Sequence, residues 1–265
     1  MRKLQILQRR LPPAHSKRPA VEKETAKYAS GYRGEQALDY HLSFINPDYP
    51  IFHDLRLFHR STYFQIDTLL LTPFFILLIE VKNMAGTLIF DADRYQMIRR
   101  LHGEEEGFLD PRLQVSRHQL QLEQWGRQKG RKLPPILTTV AISFPSTIII
   151  APPSPFTKVI HAAQLPLDIS ELEKQHPVSS IPMSGIAGIT SSLIQGCPPK
   201  PTNIMKEFGL TAEDIQKGVQ CPSYSALPIK RTRRGWWTCQ TCGRQDIDAP
   251  NASGFSPSVR PRDFE

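Results

Sequence analysis

The chain has 265 residues, 40% of them hydrophobic, which suffices for one full core and leaves residues for a small second module. Its 33 Lys+Arg against 25 Asp+Glu give a formal charge of +8, a balance that draws polyanions and is shared by ribosomal and membrane-surface proteins. Four cysteines, three of them clustered late in the chain, exclude a disulfide-stapled secreted framework.

The start is basic, with Arg2, Lys3, Arg9, Arg10, Lys17, Arg18, Lys23, Lys27 and Arg33 facing only Glu22 and Glu24. Residues 1–27 read as a basic arm, either solvated or in contact with phosphate, with Pro12 and Pro13 interrupting any long helix. The arm lacks the apolar core and cleavage site of a signal peptide, so a cytoplasmic protein is expected. Residues 22–45 follow a helical pattern with Leu38, Leu42 and Ile45 on one stripe, closed by Pro47 and Pro50.

Strands are predicted at residues 63–71, 75–82, 87–90 and 95–101, the first two forming a central hairpin around Pro73. The apolar run at residues 69–79 is too short and too interrupted to span a membrane. An acidic turn is expected at residues 104–106, then a helix over 111–129 and strands over 136–143 and 147–150. This order implies an α/β or α+β sandwich, a sheet covered by helices. Beyond Ala151 the chain reads as a proline-rich linker with short helices, residues 151–218, one of them at 211–217 suggested by Thr211 and Asp214.

Carboxylates stand inside otherwise aliphatic strands at Gln65-Ile66-Asp67-Thr68 and Ile79-Glu80-Val81-Lys82-Asn83. A buried carboxylate is expensive unless a proton or cation compensates it. If Pro73 and Phe74 form the turn, Asp67 lies directly opposite Glu80 on one sheet face, where like charges repel. A hard divalent cation, Mg²⁺ or Mn²⁺, relieves that repulsion. Strand alternation sets Lys82 on the face of Glu80. Glu35 adds a third carboxylate on the core side of the first helix, and Gln114, Arg117, His118 and Gln121 form a polar stripe on the second that could line a phosphate groove. The opposing reading makes Glu80 and Lys82 an exposed ion pair of negligible energy, Glu35 a helix-start acid, and the stripe a solvated face.

Gly34-Glu35, Gln65-Ile66-Asp67, Glu80-Val81-Lys82-Asn83 and Asp110-Pro111 with Gln114 resemble the nuclease-related domain (NERD) of the PD-(D/E)XK nuclease superfamily, in order, over roughly residues 28–150. Asp110 stands where that pattern usually has Asn. The resemblance implies a restriction-endonuclease-like mixed central sheet flanked by helices and a bacterial nuclease. It further implies that Asp67 and Glu80 hold Mg²⁺ or Mn²⁺, the Val81 carbonyl adds a ligand, Glu35 supports the site, Lys82 orients or activates the attacking water, and Gln114 positions substrate or water. The expected partner is nucleic acid, DNA before RNA, with Arg117 and His118 among its contacts. The rival is a binding or scaffolding protein with an idle nuclease core.

Residues 219–248 resemble a zinc ribbon lacking one ligand, since Cys221 has Tyr224 where a second cysteine is expected while Cys239 and Cys242 form a C-x-x-C knuckle. Cys197, Asp246 or a partner's residue would complete a Zn²⁺ site. Arg231, Arg233, Arg234, Trp236 and Trp237 suit phosphate contact and base stacking, or, in a degenerate ribbon, the tryptophans fill a tiny core. Residues 249–265 read as a tail.

Overall fold

The computed structural model describes residues 2–152, 157–198, 203–219, 221, 229–233 and 236–247. In chain order the elements begin with α1 (Arg2–Arg10), α2 (Arg18–Leu42), β1 (Ile51–His59), β2 (Thr62–Leu71), β3 (Ile76–Lys82) and β4 (Thr87–Asp91). β5 (Gln96–Leu101), β6 (Glu104–Leu109), α3 (Pro111–Gln128), β7 (Ile136–Ile142), β8 (Ile148–Ile150) and β9 (Thr157–His161) follow. The last are α4 (Leu165–Gln175), α5 (Met183–Gln195), α6 (Ile204–Phe208), β10 (Lys230–Arg233), β11 (Trp236–Thr238) and β12 (Gln245–Ile247).

The chain divides into two compact units, one of Ser30–Pro199 and one of Met1–Ala29 with Lys200–Glu265. The first is built on a five-stranded sheet ordered β1-β2-β3-β7-β9, antiparallel from β1 to β3 and parallel from β3 to β9. Val115, Leu122 and Trp125 of α3 and Ile186, Ile189 and Leu193 of α5 share one core with it, while Leu38 and Leu42 of α2 and Leu165, Ile169 and Leu172 of α4 share another. A second sheet, β6-β5-β4-β8, adjoins them in sequence. This is a mixed α/β, restriction-endonuclease-like arrangement.

The hairpin register follows from its turn. Thr72 N donates to Phe75 O at 3.0 Å, and Thr72 Oγ1 accepts from the amides of Phe74 and Phe75, with Pro73 at the position where its fixed φ suits a turn. Leu71 then pairs with Ile76 and Thr68 with Ile79, and the next step of that register sets Asp67 opposite Glu80.

Within this unit three segments differ from the sequence reading. β1 is not among the predicted strands, although Leu55 and Leu57 are buried while Arg56 and Phe58 turn outward, the alternation of a half-buried strand. Residues 104–106 are strand and not turn, because Arg99 and Arg100 on β5 lie opposite Glu106 and Glu105 and neutralise them. Residues 157–198 are no linker. β9 pairs with β7, α4 buries Leu165 and Ile169, and α5 buries Ile189 and Leu193.

The other unit corrects the reading of residues 1–27. α1 and the start of α2 bury Leu7, Leu11 and Val21 against Ile204, Met205, Leu210 and Ile215, so the segment is a packed helical pair with basic residues on it. Arg10 is buried, and its Nη1 donates to the carbonyls of Gln216 and Gly218 at 3.1 and 3.0 Å. The helix expected at 211–217 is absent. Gly209 ends α6 in the left-handed conformation at φ 64°, and the Asp214 carboxylate accepts from Thr211 N at 2.7 Å in a turn that goes no further. β10, β11 and β12 form an antiparallel sheet, the small C-terminal ribbon-like module.

Gly34 sets how closely α2 approaches the sheet. A Cβ there would lie 2.8 Å from Asn83 Cβ and 2.9 Å from Ser143 Oγ, at the ends of β3 and β7. Asn83 Nδ2 donates to Ser30 O at 2.7 Å and fastens the same stretch of helix. We expect Gly34→Ala to lower stability by about 1–3 kcal/mol through overpacking, read as a lower urea midpoint at unchanged m-value.

Candidate active site

Asp67 leaves β2 beside two neighbours. Glu80 is its opposite on β3, and on β1 the pairs His53 with Thr68 and Leu55 with Ile66 leave Asp54 beside it. Asp54 adopts φ 56°, left-handed for a residue inside a strand, and its Oδ1 accepts from Gln65 Nε2. Asp67 Oδ2 accepts from the Val81 amide at 3.0 Å, so here a side chain takes a ladder position.

Glu80 is 2% exposed. Its Oε1 accepts from Lys82 Nζ at 2.6 Å, and its Oε2 is buried with no hydrogen-bond partner among the described residues. The Asp67 and Glu80 carboxyls are neighbours that act on one another's protonation. Burial first, and the Asp67 carboxylate second, push the Glu80 carboxyl up to about 7, against the pull of Lys82. Burial also raises Asp67, opposed by the Val81 amide and Lys82. Glu35, on the α2 stretch that Gly34 brings close, is raised by burial and then by Asp54, Asp67 and Asp39.

From the other side, α3 begins at Asp110, whose carboxylate caps the Arg112 amide at 2.8 Å and pairs with the Arg112 guanidinium at 2.6 Å. Asp at this position therefore fills the capping role open to Asn, with its charge matched. α3 brings Gln114 Oε1 to 3.5 Å from Lys82 Nζ. His118 packs its ring 6.3 Å from that of Phe64, and burial, then Arg117 and Lys82, push it down to about 4, so the imidazole is neutral at pH 7. Arg117 is exposed.

The structure thus brings Glu35, Asp67, Glu80, Lys82 and Gln114 to one place, with His118 at its edge. It adds Asp54, which the sequence reading missed with β1; the alternation around Leu55 and Leu57 was the available signal. The donor set fits a hard divalent cation, since neighbouring carboxylates, one of them with a buried and unpartnered oxygen, are in the state a dication stabilises.

Residues 30–143 match the family model described as nuclease-related domain. This segment is a nuclease-related domain. No curated protein and no solved structure matches the chain. The nuclease-related domain holds all five of the candidate site residues on its own elements, at α2, β2, β3 and α3.

In the ribbon, the sulphurs of Cys221, Cys239 and Cys242 all lie within 4.8 Å of one another, with Cys221 and Cys242 at 3.7 Å. Gly243, at φ 70°, lets the knuckle close, its amide donating to Cys239 O. Amides of Cys242 and Thr241 directed at the Cys239 sulphur draw that thiol down to about 7. Cys197 is engaged elsewhere, its sulphur accepting from the Arg56 amide at 3.3 Å in the other unit. Trp237 packs on Val219, Cys221, Ile229 and Cys239, and Trp236 is partly buried. Arg231 is exposed on β10, and Arg233 stands opposite Trp236 in the ladder. Arg234, Tyr224 and the side chain of Asp246 lie outside the described residues.

The raised Glu80 carboxyl fixes the sign of one pH effect. The folded, metal-free protein holds this proton more tightly than the unfolded chain, so the contribution is fully present below about pH 4.5 and is lost as pH rises toward 7. Glu80→Gln removes that loss. In EDTA we expect the variant to match wild type near pH 4.5 and to be more stable at pH 8, by up to about 3 kcal/mol, in urea unfolding. A variant less stable at pH 8 would show that attraction to Lys82 outweighs burial and the repulsion from Asp67.

Proposed function

We propose that the nuclease-related domain hydrolyses phosphodiester bonds in nucleic acid, DNA in preference to RNA, with Mg²⁺ or Mn²⁺ held by Asp67 and Glu80. The observation that carries this reading is the Glu80 carboxylate, buried in the central sheet against Asp67 with Oε2 unpartnered. A protein selected for stability alone gains nothing from two carboxylates in contact. Such a cation, when bound, lowers the pKa of water at the site and offsets charge on the phosphoryl oxygens.

The chain's own groups supply the rest. Lys82 is held by Glu80 and Gln114 at a fixed place beside the carboxylates, where its ammonium donates to the attacking water or to a phosphate oxygen. Gln114 retains an amide NH₂ for substrate or water. Glu35 closes the site from the helix side as a third acid. Arg117 is an exposed cation one helical turn from Gln114, in reach of a neighbouring phosphate. His118, neutral, contributes a hydrogen bond and not a charge.

The ribbon is proposed to hold Zn²⁺ through Cys221, Cys239 and Cys242, with nucleic acid meeting Arg231, Arg233, Arg234 and the tryptophans. A zinc tetrahedron with bonds of about 2.3 Å has edges of about 3.8 Å, and the 3.7 Å between Cys221 and Cys242 supports this reading.

Purified protein should cleave labelled DNA in Mg²⁺ or Mn²⁺ and not in EDTA, and Asp67→Ala and Glu80→Gln should each reduce the rate at least about a hundredfold while remaining folded. Wild-type protein that binds nucleic acid and leaves it intact under every metal tested would instead identify an idle core. Metal analysis should find about one zinc per chain, lost in Cys239→Ser; none in wild type would mark a degenerate ribbon.

A further inference from the structure

The outer face of the β1–β2 hairpin carries a group of residues that the site does not use. Because Leu55, Leu57, Phe64 and Ile66 are buried, Arg56, Phe58, Tyr63 and Gln65 turn outward, with Arg56 opposite Gln65 and Phe58 opposite Tyr63. Phe58 and Tyr63 are 47% and 46% exposed, large rings left on a surface strand pair. They are not loose. Their centroids lie 4.9 Å apart, and the Arg56 guanidinium sits 3.4 Å over the Tyr63 ring. Arg56 is partly exposed, its Nη1 buried without a hydrogen-bond partner among the described residues, and Arg60 is exposed at the hairpin tip. The row ends at the acids, since Gln65 donates to Asp54, the neighbour of Asp67.

The geometry points to this face as the path of a single-stranded nucleic acid into the carboxylate site. The inference rests on the phosphodiesterase reading and adds the form of its substrate. The step from Gln65 to Tyr63 is about 7 Å along the strand, about twice the 3.4 Å rise per nucleotide of a stacked duplex strand. That stride matches an extended strand whose bases are unstacked and free to lie on Phe58 and Tyr63, and paired bases in a duplex offer no such faces. Arg56 and Arg60 are the cations that the phosphates of the same strand require, placed beyond the acids that would repel them.

The test is anisotropy of the full-length protein in EDTA with a labelled oligothymidylate and with a duplex of equal length. Wild type should prefer the single strand. Tyr63→Leu and Phe58→Leu should each weaken single-strand binding roughly five- to fiftyfold, with duplex binding little changed, and Arg56→Gln should lower the salt slope by about 0.7. Thermal unfolding confirms that each variant is folded, and Tyr40→Leu, removing an aromatic that is 65% exposed on α2, should change nothing. Equal loss on both probes, an equal loss in Tyr40→Leu, unchanged binding in both hairpin variants, or no single-strand binding by wild type overturns the assignment. Cleavage assays keep the two readings apart. A protein that never cleaves but binds single strands through Tyr63 removes the nuclease and keeps the path, and one that cleaves while both leucine variants bind normally does the reverse.

Discussion

A carboxylate in the middle of a hydrophobic sheet is the constraint on which the domain turns. Glu80 follows Leu77, Leu78 and Ile79 along β3, all buried, and is itself almost wholly enclosed. An isolated charge there would cost several kcal/mol, so the surrounding parts are arranged around it. Lys82 offsets part of the charge, Asp67 adds to it, and the remainder appears as a carboxyl pushed up to about 7. The turn at Thr72 fixes the register that makes the two acids neighbours, and the missing Cβ of Gly34 lets α2 come close enough to bring Glu35. Each of these is ordinary alone, and together they hold like charges in contact.

Such a site was legible where short-range rules apply. Pro73 and Phe74 between two aliphatic runs specify a tight hairpin, and a tight hairpin leaves no freedom over which residue faces which. E-x-K and the capping Asp110 are likewise local. β1 was hidden because His53, Asp54 and Arg56 dilute its apolar content, and with it went Asp54 and the outer hairpin face. The Glu104 to Glu106 run suggested a turn only because the arginines that neutralise it lie on another strand, and pairing between strands is not written in composition.

The longest error concerned residues 157–198. Prolines at 152, 153 and 155 suggested a linker with short helices, yet they precede a strand that needs only a few residues to pair with β7. What holds α4 and α5 is a surface contributed by α2, α3 and the sheet, which no window of this segment contains. The cysteine knuckle was readable from C-x-x-C and Gly243, whereas the place of Cys221 depends on a fold that brings it back across the ribbon.

The core that α1 enters has a consequence for the order in which the protein forms. Leu7 and Leu11 find their partners at Ile204, Met205, Leu210 and Ile215, about 200 residues later in the chain. During synthesis at roughly 5–20 residues per second, that is a wait of about ten to forty seconds. For that interval the leucines of this nine-residue segment are uncovered and its helix is without the packing that holds it, while the nuclease-related domain, whose residues lie between, has time to close first. The first segment made is therefore the last to find its core, and its apolar side stays in water until residues 204–215 have been added.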